Sequence, residues 1–599
     1  MTLNILRGLK GSDIIYRYLL KHNVTDAFIY SGGSIMPIID KFYKGNINYF
    51  VNTHEQSCGH AATGYAKSSG KTGIALVTSG PGITNLVTPL LDATNDSTPF
   101  IAISGQVNTN AMGTNAFQEA PATEITKSVT KWNYCVTDIY ELPDVLDYAF
   151  FIANDKKKGS VHIDIPKNIS LNEYECEIGD FTNKFLENHK SKNTIYDYCE
   201  ETNLITKSCN YSYNYNKISK IIDNSKKPIL YVGQGCNSDS SLLTEFIEKT
   251  NIPITTTLHA NGVYDETLDK SLRWCGMHGS AAANYLIQES DLIIALGSRF
   301  DDRTTGNIEY YAPVAREAGR NNKGGIIHVN IEESEINKVI NTNYNFNVSC
   351  KTFLENVIPK VKKNDRISWN KKALEYKNKY KFQLKNNSVK RLNMENILTE
   401  FNKQIVNKDF IVTTGVGNHQ MQTYQFILSR TPNKILSSGS LGVMGAGLPY
   451  AIGAQIANQN KLVLLIDGDS SFNMTLSELK TIKEYNLPVK IAIMNNSAQM
   501  MVTIWEKLFF EERYTATLNN CNPCYKTLSE SFGIKSIKCN KESNLSQTIK
   551  EFIEYPGPIL CEFDVERDIC LPLVSPGKAL DEMILPNDKI VGLEGEAPS

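Results

Sequence analysis

The segment from 461 to 496 constrains the fold more than any other. It contains an apolar run over 462–467 (LVLLID), a segment of amphipathic helical period over 475–485 (TLSELKTIKEY) and a second apolar run over 489–495 (VKIAIMN). Two short apolar runs around a helical stretch make a βαβ unit, with parallel strands joined by a right-handed crossover. Residues just past the carboxyl ends of such strands share the crevice where open α/β sheets bind ligands. Asp469 and Asn496 fall at those two places, 27 residues apart. A carboxylate and an amide oxygen side by side suit Mg²⁺, which takes oxygen ligands in octahedral geometry and shares them with bound phosphates. Ser470 and Ser471 add hydroxyls and N–H groups near a helix start, where anions are favoured. The competing reading, a bare strand-to-helix turn, does not account for the Asn at the end of the neighbouring strand.

The alternation of apolar runs and helical segments continues along the chain, so the expected fold class is α/β, with doubly wound parallel sheets. A chain of 599 residues exceeds one core. Polar, Asn- and Lys-rich breaks near 188–215 and 363–392 divide it into units at 1–187, 216–362 and 393–575, with a tail at 576–599. The first and third units share the same general pattern. A net charge of -2 gives no reason to expect nucleic acid or an anionic membrane. No apolar run reaches the roughly 18 residues of a membrane span, and the N-terminal segment lacks a signal-peptide core, so a cytoplasmic protein is expected, with synthesis inside a plastid as the alternative. Thirteen scattered cysteines indicate reduced thiols. The single CxxC, Cys521 and Cys524, has no second pair beside it and receives no function.

Asp469 to Asn496 resembles the thiamine-diphosphate motif, GDG followed by an Asn. HEQ at 54–56, TSGPGITN at 78–85, GTNAFQE at 113–119, TKWN at 130–133, GMHG at 276–279, RFDDRTTGNI at 299–308, TTGVGNHQM at 413–421, FNMTLSEL at 472–479 and MVTIWEKLFFEERY at 501–514 are similar to the catalytic subunits of acetohydroxyacid (acetolactate) synthase. The likeness runs from about residue 11 to 581.

That resemblance implies three cofactors: thiamine diphosphate, Mg²⁺ and FAD. Glu55 is expected to hydrogen-bond the aminopyrimidine ring and drive deprotonation of the thiazolium carbon. Gly33, through its backbone N–H, with Gln118 and Lys131, completes the catalytic cavity. The backbone oxygen of Ala498 joins Asp469 and Asn496 on the metal. Val416, Asn418, His419 and Gly442 take diphosphate-contacting positions, and Met444 props the cofactor in its bent form. Phe117, Arg303, Met501 and Trp505 are expected at the substrate, with Arg303 holding the acceptor carboxylate. Gly233, Gly235, Thr257, Met277, His278, Gly297, Arg299 and Asp301 occupy flavin positions. The implied reaction decarboxylates pyruvate and condenses the two-carbon unit with pyruvate or 2-ketobutyrate, at the head of branched-chain amino-acid synthesis. A homodimer or homotetramer is expected, because Glu55 and Asp469 of one site come from different chains; a small regulatory subunit is a further candidate partner.

Several positions depart from the family. Asn330 and Ser349 stand where acidic residues are usual and Lys127 where an Arg is usual, which predicts weaker flavin binding. Met500 stands where a Gly is usual, and Asn115 where an Asp is. Two alternatives stay open: a pyruvate oxidase-like thiamine enzyme, and a cofactor-binding homologue of weakened catalysis.

Overall fold

The computed structural model describes residues 6–175, 213–383, 391–567, 569–586 and 588. Three six-stranded sheets organise it, each with only parallel pairs. The first holds β1 (Asp26–Ile29), β2 (Asn48–Val51), β3 (Gly73–Val77), β4 (Phe100–Gln106), β5 (Trp132–Cys135) and β6 (Ser160–Pro166) in the order β2-β1-β3-β4-β6-β5. The second holds β7 (Pro228–Val232), β8 (Ile254–Thr256), β9 (Ser271–Trp274), β10 (Leu292–Leu296), β11 (Gly325–Val329) and β12 (Tyr344–Phe346), ordered β12-β11-β10-β7-β8-β9. The third holds β13 (Phe410–Thr414), β14 (Ile435–Leu436), β15 (Leu462–Gly468), β16 (Lys490–Asn495), β17 (Lys535–Cys539) and β18 (Ile559–Asp564), ordered β14-β13-β15-β16-β18-β17. The first and third orders are the same once renumbered, which makes the general likeness seen in the sequence a topological one. Central strands such as β3, β7 and β10 are buried along their whole length, as expected of sheets covered on both faces.

The first and third units pack through two helices, Glu55–Ser69 and Gly447–Ala457, whose facing residues are small and buried. A Cβ at Gly453 would lie 1.9 Å from the Ala61 carbonyl oxygen, and one at Gly64 would lie 2.5 Å from Tyr450 Cα. The helices therefore cross backbone to backbone.

Two segments differ from the sequence reading. The polar stretch 363–392 contains a helix, Ile367–Lys379, whose Trp369 and Ala373 pack on the second unit while most of its surface stays polar. Two inward residues on a charged helix give too weak a period to read. The described part of the tail, 576–586, is folded as well: its β20 (Met583–Ile584) pairs antiparallel with β19 (Leu573–Val574), and Leu580 and Met583 join Val574 in the core of the second unit. The break at 188–215 lies almost wholly outside the described residues. Among the described residues no helix is long and apolar enough to cross a membrane.

Candidate active site

β15 and β16 pair in register, Gly468 opposite Met494, so Asp469 and Asn496 emerge side by side. Asp469 opens a short helix, Asp469–Asn473, directly after its strand, and the expected helix at 475–485 divides into a 3₁₀ turn, Leu476–Glu478, and the helix Leu479–Glu484. Asp469 is buried. Its Oδ2 accepts hydrogen bonds from the amides of Asn519 (2.7 Å) and Asn522 (2.8 Å), while Oδ1 is buried without a partner. Burial pushes this carboxyl above its ordinary pKa, opposed by those amides and by the backbone at Asn496 and Asp469. An acceptor-only oxygen buried with no donor is costly unless something positive meets it. A hard cation with oxygen ligands fits that role, and no cluster of three or more His, Cys, Asp or Glu side chains suited to a softer metal occurs among the described residues.

A cavity of about 50 Å³ beside this pair is lined by Asn418, His419, Ser470, Ser471, Asn496 and Ala498. Val416, Met444 and Met501 line both it and a far larger cleft. His419 Nε2 lies 3.1 Å from Asp467 Oδ1, both buried. The loop bearing Gly442 and Met444 is held at both ends: Gly442 and Val443 donate their N–H groups to Ser438 Oγ, and Gly445 donates to Ser471 Oγ. Ser438 in turn donates to Asp92 of the first unit, which also accepts from Tyr450. Asp96, beside it, meets Lys67 (2.7 Å), His259 (3.3 Å) and the N–H groups of Gly439 and Ser440. Burial raises Asp92, with the charge of Asp96 adding to it. Asp96 is held well below the carboxylate range, because Lys67 and His259 outweigh its burial. All three units meet at this charge cluster.

The larger cleft, about 2270 Å³, runs along the second unit. β10 and β7 are the neighbours at which the strand order reverses, the place where doubly wound sheets bind dinucleotides. Gly233 and Gly297, just past those strands, touch backbone to backbone: a Cβ at Gly233 would lie 2.3 Å from Gly297 O, and Gly297 has φ +60°. Gly235, Thr257, Met277, His278, Arg299, Asp301, Asn330 and Ser349 also line the cleft. Asn330 donates to Ser298 O and accepts from Glu332 N, and Ser349 caps the helix Cys350–Val357, so both departures have structural duties. Lys127 is exposed beside Glu124.

Arg303, Met501 and Trp505 line the same cleft. The Arg303 side chain is 65% exposed and only 3.8 Å from Asp302, a loose surface pair that leaves the guanidinium available to a ligand. Met500 is the first residue of the helix Met500–Phe509, with no left-handed backbone, and packs among Ile504, Leu508, Leu571 and Leu573. Position 500 therefore imposes no conformational need for glycine.

The first-unit candidates lie elsewhere. Glu55 is buried at the start of its helix, its Oε2 accepting from Asn85 (2.9 Å), and Gly33 has open space where a Cβ would sit. Phe117 is 88% exposed; Gln118 and Asn115 hold left-handed backbones (φ 61° and 60°), which Asn adopts more readily than Gln. None of Glu55, Gly33, Phe117 or Gln118 lines either cavity. Lys131 is drawn away from both: its ammonium donates to Ile152 O and Asp155 O at the end of the helix Leu142–Asn154, and burial lowers it to about 8. Sequence reasoning missed Asn519, Asn522, Ser438 and Arg567, whose guanidinium donates to Asn496 O and Ser497 O. The one signal was the Asn-rich run NNCNP at 519–523.

The chain matches known proteins along most of its length. Residues 9–125, 215–357 and 415–563 match the family models for the N-terminal TPP binding, central and C-terminal TPP binding domains of thiamine pyrophosphate enzymes. The chain is 40% identical to the mitochondrial acetolactate synthase catalytic subunit of Saccharomyces cerevisiae, over 96% of this chain and 84% of the relative. It is 36% identical to the acetolactate synthase large subunit of Porphyra purpurea, over 94% of each chain. Against acetolactate synthase 1, chloroplastic, of Oryza sativa subsp. japonica it is 36% identical, over 97% of this chain and 88% of the relative. With all three domain models matched in order and relatives so alike along its length, the chain belongs to the thiamine pyrophosphate enzymes and, among them, to the acetolactate synthase catalytic subunits.

Proposed function

We propose that the protein is a working acetolactate synthase, decarboxylating pyruvate and condensing the two-carbon unit with pyruvate or 2-ketobutyrate. The observation that carries the metal-dependent part is the partnerless, buried Oδ1 of Asp469 beside Asn496 at the ends of paired strands. Asp469, Asn496 and the Ala498 backbone oxygen would hold Mg²⁺, and Ser470, Ser471, Asn418 and His419 would hold the diphosphate. When bound, thiamine diphosphate supplies a carbanion-forming thiazolium carbon. Glu55 holds the proton relay at the aminopyrimidine, and its burial keeps water from that hydrogen bond. Arg303 orients the acceptor by its carboxylate, since a planar guanidinium offers two parallel donors. Met501 and Trp505 form an apolar wall, worth about 1–3 kcal/mol of discrimination per added methylene. FAD fits the cleft at the glycine contact of β7 and β10. Its binding is weaker than a ribose-binding carboxylate would give, because Asn330 is neutral and already hydrogen-bonded.

Glu55 and Phe117 lie outside the cavities that Asn496 and Trp505 line, which supports a site completed by a second copy of the chain. The test combines both parts. Glu55→Gln and Asp469→Asn are each expected to abolish acetolactate formation from pyruvate. Mixed after joint refolding, they should recover about one quarter of wild-type activity, because half of the dimers carry one intact site. No recovery would refute the shared site, and full activity of Glu55→Gln would refute its relay role. Peroxide as the main product would favour the oxidase reading. A small regulatory subunit is a second candidate partner. The cytoplasm is retained as the compartment, to be checked by imaging a tagged chain against mitochondrial and plastid markers, because relatives carry names of both organelles.

A further inference from the structure

We propose that Asn519 and Asn522 are positioning residues that turn Asp469 toward the metal, a role resting on the reading of Asp469 as a Mg²⁺ ligand. A carboxylate can present either oxygen to a cation, and here the two oxygens are unequal. Oδ2 accepts from both amides, whereas Oδ1 accepts from neither.

The hydrogen-bond directions of the surrounding amides follow from Asp469 itself. An ionised carboxylate only accepts, so Asn522 must point its NH₂ at it; that group also reaches Asn495 Oδ1 (3.2 Å). The Asn522 oxygen is then left to accept, and Asn473 Nδ2 donates to it at 3.0 Å. Tyr525 OH donates to the oxygen of Asn473, again at 3.0 Å. The relay Tyr525–Asn473–Asn522–Asp469 has one consistent polarity, so the Asn522 amide cannot flip without losing its bonds to Asp469 and to Asn473. Asn519 gives the second donor and also donates to Ser470 Oγ (2.6 Å). Both asparagines lie on one strap, tied to the metal side by the bridge between Ala498 and Leu518 and by Asn519 N donating to Ser497 O. Outer partners of this kind fix which ligand atom faces a metal and how strongly it binds.

The test measures Mn²⁺ affinity by EPR on the full-length protein with thiamine diphosphate present, in the wild type, Asn519→Ala, Asn522→Ala, Asn522→Asp and Asp469→Asn. Loss of either asparagine should weaken Mn²⁺ binding about 10- to 100-fold. The KM for pyruvate at saturating metal should stay close to wild type, and so should the melting temperature of metal-free Asn519→Ala, which leaves Asp469 its bond from Asn522. Asn522→Asp should bind less well than Asn522→Ala, because a carboxylate there repels Asp469 instead of holding it. Asn519→Ala, which leaves the Tyr525–Asn473–Asn522 relay untouched, carries the test if Asn522→Ala does not fold. Mn²⁺ affinities equal to wild type in both alanine variants overturn the proposal while leaving Asp469 as ligand. Wild type and Asp469→Asn binding Mn²⁺ alike would overturn the ligand reading and the positioning role with it.

Discussion

Replacing Gly453 by Ala tests the crossing that joins the first and third units. In an isolated helix this change is favourable by about 1 kcal/mol, because Gly is a poor helix former. In the protein the added Cβ meets Ala61 O at 1.9 Å, Tyr65 N at 2.7 Å and Ala61 C at 2.8 Å. All three are main-chain atoms of the opposing helix, which no rotamer change can move. Carbon contacts are comfortable near 3.5 Å, so the helices must part by roughly 1.5 Å. Parting loosens the buried contacts of Cys58, Ala61, Ala62, Leu448, Ala451 and Ile452. Overpacking costs about 1–3 kcal/mol, and a backbone clash belongs at or above the top of that range. The clash outweighs propensity, leaving a net loss of about 2 kcal/mol. Calorimetry should show the main transition falling by about 4–8 °C, at roughly 2–4 °C per kcal/mol for units of this size. Gly64→Ala should behave alike, and the double variant should lose less than the sum, because the first substitution has already opened the gap. Gly33→Ala is the control: with open space at its Cβ it should melt like wild type, so any loss of turnover there reports on the site. A Gly453→Ala protein as stable as wild type would refute the backbone-to-backbone crossing.

Other tests follow from buried groups. Asp164 is pushed up to about 7 by burial, against hydrogen bonds from Ser104 and Gln106. Its native pKa lies above the unfolded one, so the folded state binds the extra proton and stability falls as pH rises from about 4 through about 7, by roughly 4 kcal/mol in all. Urea midpoints of Asp164→Asn should lose that slope, and parallel pH profiles for the two proteins would count against it. Lys67→Met should destabilise by about 3 kcal/mol by leaving Asp96 with His259 as its only cationic partner; an unchanged melting temperature would show the cluster to be solvated. Met500→Gly should cost at least about 2 kcal/mol through a core cavity and a poorer helix start, without raising turnover. A faster, equally stable variant would show that Met500 obstructs the site.

The βαβ segment was legible in the sequence because its signals are local. Continuous apolar runs form strands buried on both faces, and residues just past paired parallel strands meet whatever else the chain does. Asp469 and Asn496 could thus be named from spacing and chemistry alone, and the order of motifs carried the family. Weakly patterned elements were not legible: Ile367–Lys379 buries only Trp369 and Ala373, and Leu580 and Met583 of the tail find their core only against another unit. Nor could spacing show that Lys131 caps a helix, since its partners are main-chain carbonyls that carry no sequence signature. Tertiary structure alone decided which oxygen of Asp469 is left bare, which asparagines hold the other, and that position 500 is helical. Those facts depend on hydrogen bonds and packing between segments far apart in the chain, where direction and burial, not residue type, determine what an oxygen can bind.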